Sequence, residues 1–316
     1  MRKAVLLYNA RSGPCNNREA ELRDALQILS NVGISANLVC TQSSSDAAEQ
    51  ARKAIQAGND AVFACGGDGT IHDVLQAMAA SEVALGIIPM GTANALAHDL
   101  GIPTDIHGAL RVASTAQERR IALGQVMARG FDGNPTSRFF TVAVGVGVDA
   151  HLFYRLNPAI KQRLGMGAYY AKAWHLWFSH RMERFRVQFP EDAQASRTGV
   201  TEMLAVRIRN FGGILQELAP GASLDRDELR VVVCRTSSRL LYLLYVLRGF
   251  LRARWTVPGV ELLSCKTLHC DYSAEYDPAI QGGPKVYVEA DGELIGTLPA
   301  EIKIVPDALT LLVPRK

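Results

Sequence analysis

Cys65-Gly66-Gly67-Asp68-Gly69-Thr70 is the stretch on which the reading of this chain turns, and Pro89-Met90-Gly91-Thr92-Ala93-Asn94 echoes it. Each follows an apolar run that reads as a buried strand, Ala61-Val62-Phe63-Ala64 and Ala84-Leu85-Gly86-Ile87-Ile88, and each leads into a helical pattern. Both are strand-to-helix turns. Glycines free the backbone to take positive φ and let a ligand come close to the main chain. Amides exposed at a helix N-terminus favour an anion. Asp68 between the glycines, the hydroxyls of Thr70 and Thr92 and the amide of Asn94 go beyond what a tight turn needs, and point to phosphate binding.

Outward from these turns the pattern is regular. Ala4 to Tyr8 reads as the first buried strand, ending in the loop Asn9-Ala10-Arg11-Ser12-Gly13. Asn16 can cap a helix with Glu19 three positions on, and Leu22, Ala25, Leu26, Leu29 and Val32 share one face until Gly33 ends it. A strand over Ile34 to Cys40 delivers Thr41, and Asp46 begins a helix that stops near Gly58. Strands and helices alternate to about residue 117, which predicts an open parallel sheet with helices on both faces. Ligands of such sheets sit beyond the carboxyl ends of the strands, where loops 9–13, 41–45, 66–70 and 91–94 all fall.

Near Arg119 the texture changes to short strand candidates: Ile121–Val126, Phe139–Val148, Arg184–Phe189, Met203–Asn210, Leu229–Cys234, Lys266–Asp271, Val286–Ala290 and Ile302–Ile304, with a closing strand from Pro306 to Pro314. Two helical segments interrupt them. Pro158 to His180 carries an aromatic stripe that reads as core; Arg239 to Trp255 has an apolar first half and a basic second half, and reads as packing across the sandwich. His72 and Asp73 are adjacent, no third ligand recurs at metal spacing, and surface or helix-cap roles are expected for them.

The 316 residues suffice for two domains, and the 48% apolar and 21% charged fractions are those of a globular protein. A net charge of +3 is too small to argue for nucleic acid and is compatible with weak attraction to an anionic membrane. Six cysteines without CxxC spacing read as reduced thiols in a cytosolic protein. No apolar run is long enough for a signal peptide or a bilayer span, so any membrane contact is expected to be peripheral.

Gly66-Gly67-Asp68-Gly69-Thr70 followed by Gly91-Thr92-Ala93-Asn94 resembles the diacylglycerol kinase catalytic-domain family, which includes bacterial lipid kinases and sphingosine kinases. The resemblance implies an α/β plus β fold: an N-terminal doubly wound parallel-sheet nucleotide domain (1–123) and a C-terminal β-sandwich-like lipid-substrate domain (124–316), the last strand returning to the first domain. It implies ATP and Mg²⁺ as cofactors, with Asn9, Ser12, Thr41, Gly66, Gly67, Asp68, Gly69, Thr70, Thr92 and Asn94 at the nucleotide. Ala10 replaces the family's usual proline, and His98 stands where relatives carry Arg or Lys, which suggests a pH-dependent phosphate contact. Glu293, in Glu289-Ala290-Asp291-Gly292-Glu293, corresponds to the proposed proton acceptor; Asp68 is a second candidate base. Asp149 falls near the substrate head group. A lipid substrate at a membrane surface, a cytoplasmic location with peripheral membrane association, and a homodimer are implied as well.

The pattern breaks at Pro220-Gly221-Ala222-Ser223-Leu224-Asp225-Arg226-Asp227-Glu228-Leu229. Relatives carry Asp-Asp-Gly-Leu or Asn-Asp-Gly-Leu there and bind a structural or regulatory Mg²⁺; the register that fixes Pro220 puts Arg226 at the metal-binding aspartate, and a guanidinium cannot ligate a cation. Asp225 or Asp227 substitutes through a shifted loop, the arginine supplies the positive charge, or the site is lost. An ATP-dependent lipid kinase is the leading expectation. NAD kinase shares Gly-Gly-Asp-Gly but needs a downstream Asn-Glu pair absent from the second half; a catalytically idle lipid- or nucleotide-binding protein is the third reading, favoured only by Arg226.

Overall fold

The computed structural model describes residues 1–9, 18–148, 150, 182–191, 196–212, 217–273 and 285–315. Ser12, Asp149 and the aromatic segment at 158–180 lie outside these described residues. Strands β1 (Lys3–Asn9), β2 (Ser35–Thr41), β3 (Ala61–Gly66) and β4 (Ala84–Pro89) pair in parallel in the order β2-β1-β3-β4. Every residue of β3 and β4 is buried. Coverage on both faces is why these strands read as unbroken apolar runs.

Helices α1 (Arg18–Asn31) and α5 (Ile106–Thr115) pack together, as do α2 (Ser44–Gln56) and α3 (Asp68–Met78). Right-handed crossovers from this strand order put one pair on each face. α2 starts two residues before Asp46 because Ser43 is its N-cap, accepting the Asp46 amide at 3.2 Å. The short α4 (Ala95–Leu100) follows β4.

From β5 (Gln117–Arg129) onward the ladders are antiparallel, apart from the meeting of the last strand with β4. β6 (Pro135–Phe140), β7 (Ala143–Gly147), β8 (Phe185–Gln188), β9 (Ser196–Val200), β10 (Glu202–Val206), β11 (Leu229–Cys234), β12 (Val260–Cys265), β13 (Thr267–Tyr272), β14 (Tyr287–Ala290) and β15 (Glu293–Val313) follow. One layer runs β12-β11-β10-β7-β14-β15, and β15 joins it to a second made of β6, β5, β13, β8 and β9. Val126, Phe140, Val144, Phe185, Met203, Val231, Leu268, Val288 and Ile302 fill the core between them. This is the β-sandwich-like half.

β15 links the two halves. Its first residues pair with β14, its middle with β5 and β13, and beyond a bulge between Val305 and Leu309 it enters the parallel sheet, with Leu311 beside Leu85 of β4. Ile302–Ile304 and the segment after Pro306, which read as two elements, are one strand bent at Asp307, whose φ is 47°.

α6 (Arg239–Phe250) overturns a second expectation. Its leucine face does not pack across the sandwich: Leu240, Leu243, Leu244, Val246 and Leu247 are all exposed, Leu240 by 68%. The tyrosine face docks instead. Tyr242 is buried with its hydroxyl 2.8 Å from Thr201 Oγ1, and the buried Tyr245 donates its hydroxyl to the Leu218 carbonyl. A tyrosine that finds a partner for its OH is as good an anchor as leucine. No helix among the described residues is long and apolar enough to cross a membrane. Cys65, Cys234, Cys265 and Cys270 are buried free thiols, and Cys40 is a half-buried one.

Candidate active site

Four neighbouring strands end at one edge of the parallel sheet, at Asn9, Thr41, Gly66 and Pro89. The two glycine turns meet there backbone to backbone. Met90 donates its amide to the Gly66 carbonyl at 2.8 Å. A β-carbon on Gly91 would lie 2.5 Å from the Gly67 α-carbon, and one on Gly66 would lie 2.4 Å from Thr70 Oγ1. Only glycine permits this approach.

Asn94 adopts the left-handed region, with φ 49°. From there its Oδ1 accepts the Gly91 amide at 2.9 Å and its Nδ2 donates to the Gly91 carbonyl at 3.0 Å. Asp68 Oδ1 accepts the Ala95 amide at 2.8 Å, so the first residue of α3 caps α4 and holds the second turn against the first. Burial pushes the Asp68 pKa above its ordinary value, opposed by the Ala95 and Asn94 amides and reinforced by Asp291. Thr70 is buried in the turn. Thr92 is exposed and lines an open cleft with Met90, Gly91, Asn94, His98 and Asp105.

The third component arrives from the far end of the sequence. The turn between β14 and β15 puts Asp291 (φ 49°) and Gly292 (φ 84°) in the left-handed region, and the buried Glu289 accepts the Gly292 amide at 2.8 Å. The Asp291 side chain is only 4% exposed. It accepts the amides of Thr141, Val142 and Ala143 at 2.9, 2.9 and 3.1 Å and the Thr141 hydroxyl at 3.3 Å. His72 Nδ1 is 3.6 Å away. This anchorage brings Glu293 over α3: a β-carbon on Gly69 would lie 3.3 Å from Glu293 Oε1. Glu293 is exposed, yet desolvation by the protein around it pushes its carboxyl pKa up, with His72 pulling it down and Asp73 adding to the rise.

The expectation of a surface or capping role for His72 is therefore wrong. It is 4% exposed, on the buried face of α3, beside the hairpin anchor. Gln76, one turn further on, exchanges two hydrogen bonds of 2.9 Å with the backbone of Phe139, which ties α3 to β6. Asp68, His72 and Gln76 recur every four residues, one face of a helix, and that spacing was the available signal. Nothing local could pair that face with Asp291.

The remaining expected residues divide. Thr41 is buried, and its hydroxyl donates to the Tyr8 carbonyl at 3.2 Å, turned onto the backbone. Asn9 stands opposite Thr41 in the ladder at the same edge. His98 packs against Gly212, and its neighbour Asp99 accepts the amides of Arg209 and Asn210, each at 2.9 Å, so α4 is pinned to the segment after β10.

Asp225 and Asp227, the candidate metal ligands, both lie exposed on their loop. Asp225 is bonded to Arg119 at 2.8 Å, and Arg226 turns outward to Glu228 at 3.1 Å. Among the described residues no three His, Cys, Asp or Glu side chains cluster to hold a metal.

Comparison with known proteins agrees with both halves of the fold. Residues 3–126 match the model of the diacylglycerol kinase catalytic domain, and residues 142–313 match that of the YegS C-terminal NAD kinase beta sandwich-like domain. The chain is 28% identical over 307 residues to a diacylglycerol kinase of Bacillus subtilis (strain 168), covering 95% of this chain and 93% of that protein. It is 26% identical over 302 residues to a diacylglycerol kinase of Staphylococcus aureus (strain MRSA252), covering 95% and 88%. The crystal structure of a diacylglycerol kinase from Bacillus anthracis strain Sterne shares the fold, with a TM-score of 0.71 at 15% identity over 99% of this chain and 97% of that one. The chain belongs to the diacylglycerol kinase family of phosphotransferases, with a diacylglycerol kinase catalytic domain followed by a YegS-type sandwich domain.

Proposed function

We propose that this protein transfers the γ-phosphate of ATP to a lipid hydroxyl, with a diacylglycerol as the first acceptor to test. The observation that carries the reading is the convergence of two interlocked glycine turns and the Glu293 carboxylate on Gly69. Phosphoryl transfer asks for positioning and charge neutralisation more than for covalent chemistry. The amides of Gly67, Gly69, Thr92 and Ala93 bind the phosphates, with the Gly91 amide held by Asn94 Oδ1, and Asn9 and the Thr92 hydroxyl flank them. Mg²⁺ bound with ATP would supply neutralisation of the phosphate charge, and Asp68 is the carboxylate at the turn that would orient it.

Glu293 is the base of choice. Desolvation raises the pKa of both carboxyls, but one Asp68 oxygen is already engaged by the Ala95 amide, whereas Glu293 is exposed beside Gly69 and free to accept a proton. Asp291 positions it. A lipid acceptor is met at a membrane surface, and the exposed leucines of α6, next to the exposed Arg252 and Arg254, suit contact with an anionic bilayer. NAD as acceptor is the second reading, since the sandwich domain is of NAD kinase type.

Transfer of labelled γ-phosphate from ATP to a panel of diacylglycerol, monoacylglycerol, sphingoid base and NAD tests the proposal. A labelled lipid, lost in Asp68→Ala, is the expected result. Labelled NADP would replace the lipid reading, and no transfer to any acceptor despite ATP binding would leave a nucleotide-binding protein.

A further inference from the structure

The loop that breaks the family pattern is organised from beneath by a buried arginine outside it, Arg207. Arg207, one residue past β10, is 1% exposed, and its own amide bonds to the Val142 carbonyl at 2.9 Å. Its guanidinium reaches beneath the Pro220–Leu229 loop. Nη1 donates to the carbonyls of Arg226, of Glu228 at 2.7 Å and, at the outer limit, of Ser223 at 3.5 Å. Nη2 donates to the Ala122 carbonyl of β5 at 3.0 Å. Burial lowers its pKa to about 10, so it stays charged at neutral pH.

Carbonyl oxygens of three loop residues converging on one buried point are what a hard divalent cation collects from a loop. Here that point holds a guanidinium, whose planar fork reaches several acceptors at once. A buried charge with no carboxylate bonded to it is retained only where such acceptors compensate its desolvation. Of the nearby acids, Asp225 is taken by Arg119 and Glu228 pairs with Arg226 on the outside, while Asp227, exposed, and Glu228 help keep the guanidinium charged.

We infer that Arg207 stands in place of a divalent cation in the Pro220–Leu229 loop, so that the loop is ordered without metal and Mg²⁺ is needed only with the nucleotide. The second clause rests on the kinase reading; the first does not.

The test is thermal unfolding of the nucleotide-free protein in EDTA and in millimolar Mg²⁺, for the wild type and for Asp225→Asn/Asp227→Asn. The expected result is no Mg²⁺ shift, or one that the double substitution leaves unchanged because it arises elsewhere. A shift of several degrees that disappears in the double variant would overturn the inference. Limited trypsin digestion, read by mass spectrometry at the exposed Arg226, supplies the second arm. Arg207→Lys, whose ammonium cannot span these carbonyls, is expected to speed cleavage there at least fivefold with no protection by Mg²⁺, while cleavage at wild-type speed would contradict the role given to Arg207. Where that variant fails to fold, the wild-type arm still decides. Neither arm needs catalysis, so failure of the kinase reading leaves both results interpretable.

Discussion

Asp291→Asn isolates the anchor of the third component. The carboxylate serves four donors, with Oδ1 taking Val142 and Ala143 and Oδ2 taking both groups of Thr141 beside His72. An asparagine keeps one acceptor oxygen. If it stays on Val142 and Ala143, the new NH₂ points at the Thr141 amide, which is left buried without a partner at a cost of about 1–3 kcal/mol. The two retained bonds also lose charge assistance, about 1 kcal/mol each. Relief of the carboxylate's own desolvation offsets part, and the expected net loss is about 2–4 kcal/mol. At roughly 2–4 °C per kcal/mol, that lowers the melting temperature by about 4–16 °C. Glu293 sits two residues away, and a displacement of about 1 Å at a reacting group costs on the order of a hundredfold in rate. The glycine turns belong to other elements, so KM for ATP should hold within about twofold. Calorimetry and steady-state kinetics read both effects. A variant with wild-type melting temperature and kcat would refute the anchoring role.

Gly91→Ala and Gly69→Ala should separate binding from chemistry. The first places a β-carbon 2.5 Å from the Gly67 backbone and must part the two turns, so ATP affinity should fall by at least tenfold in calorimetry; the second meets only the flexible Glu293 carboxylate, at 3.3 Å, and should lower kcat with ATP affinity kept. The rate should fall on acidification with a midpoint above the ordinary glutamate value of about 4.3, because Glu293 accepts a proton only when ionised and its pKa is raised; a pH–kcat profile flat down to about pH 4 would exclude it as base. Leu243→Glu/Leu247→Glu on the exposed face of α6 should weaken turnover on anionic vesicles several-fold and leave a water-soluble short-chain acceptor unaffected. Equal losses on both substrates would remove α6 from the membrane contact.

What local sequence could reveal follows from where the information lies. The parallel half was legible because β3 and β4 are buried on both faces and end in glycine turns, signals contained in consecutive residues. The interlocking of Asp68 with Ala95 already needs the fold. The sandwich was legible as a class and poorly in its parts: β9 and β12 are half-exposed strands lacking a clean apolar run, and prolines at 299 and 306 punctuate β15 without ending it. The α6 pattern announced an apolar helix face but not whether anything covers it. His72 and Asp291 were missed as a pair because their meeting is purely tertiary, and Arg207 because its acceptors are backbone carbonyls, which every residue carries.

The most direct test of the central claim is Glu293→Gln, compared with the wild type for MgATP binding by calorimetry and for γ-phosphate transfer to diacylglycerol in mixed micelles. Unchanged nucleotide affinity with transfer lowered by at least a hundredfold is the predicted result. Transfer within a few-fold of wild type would show that Glu293 is not the proton acceptor and would return that role to Asp68.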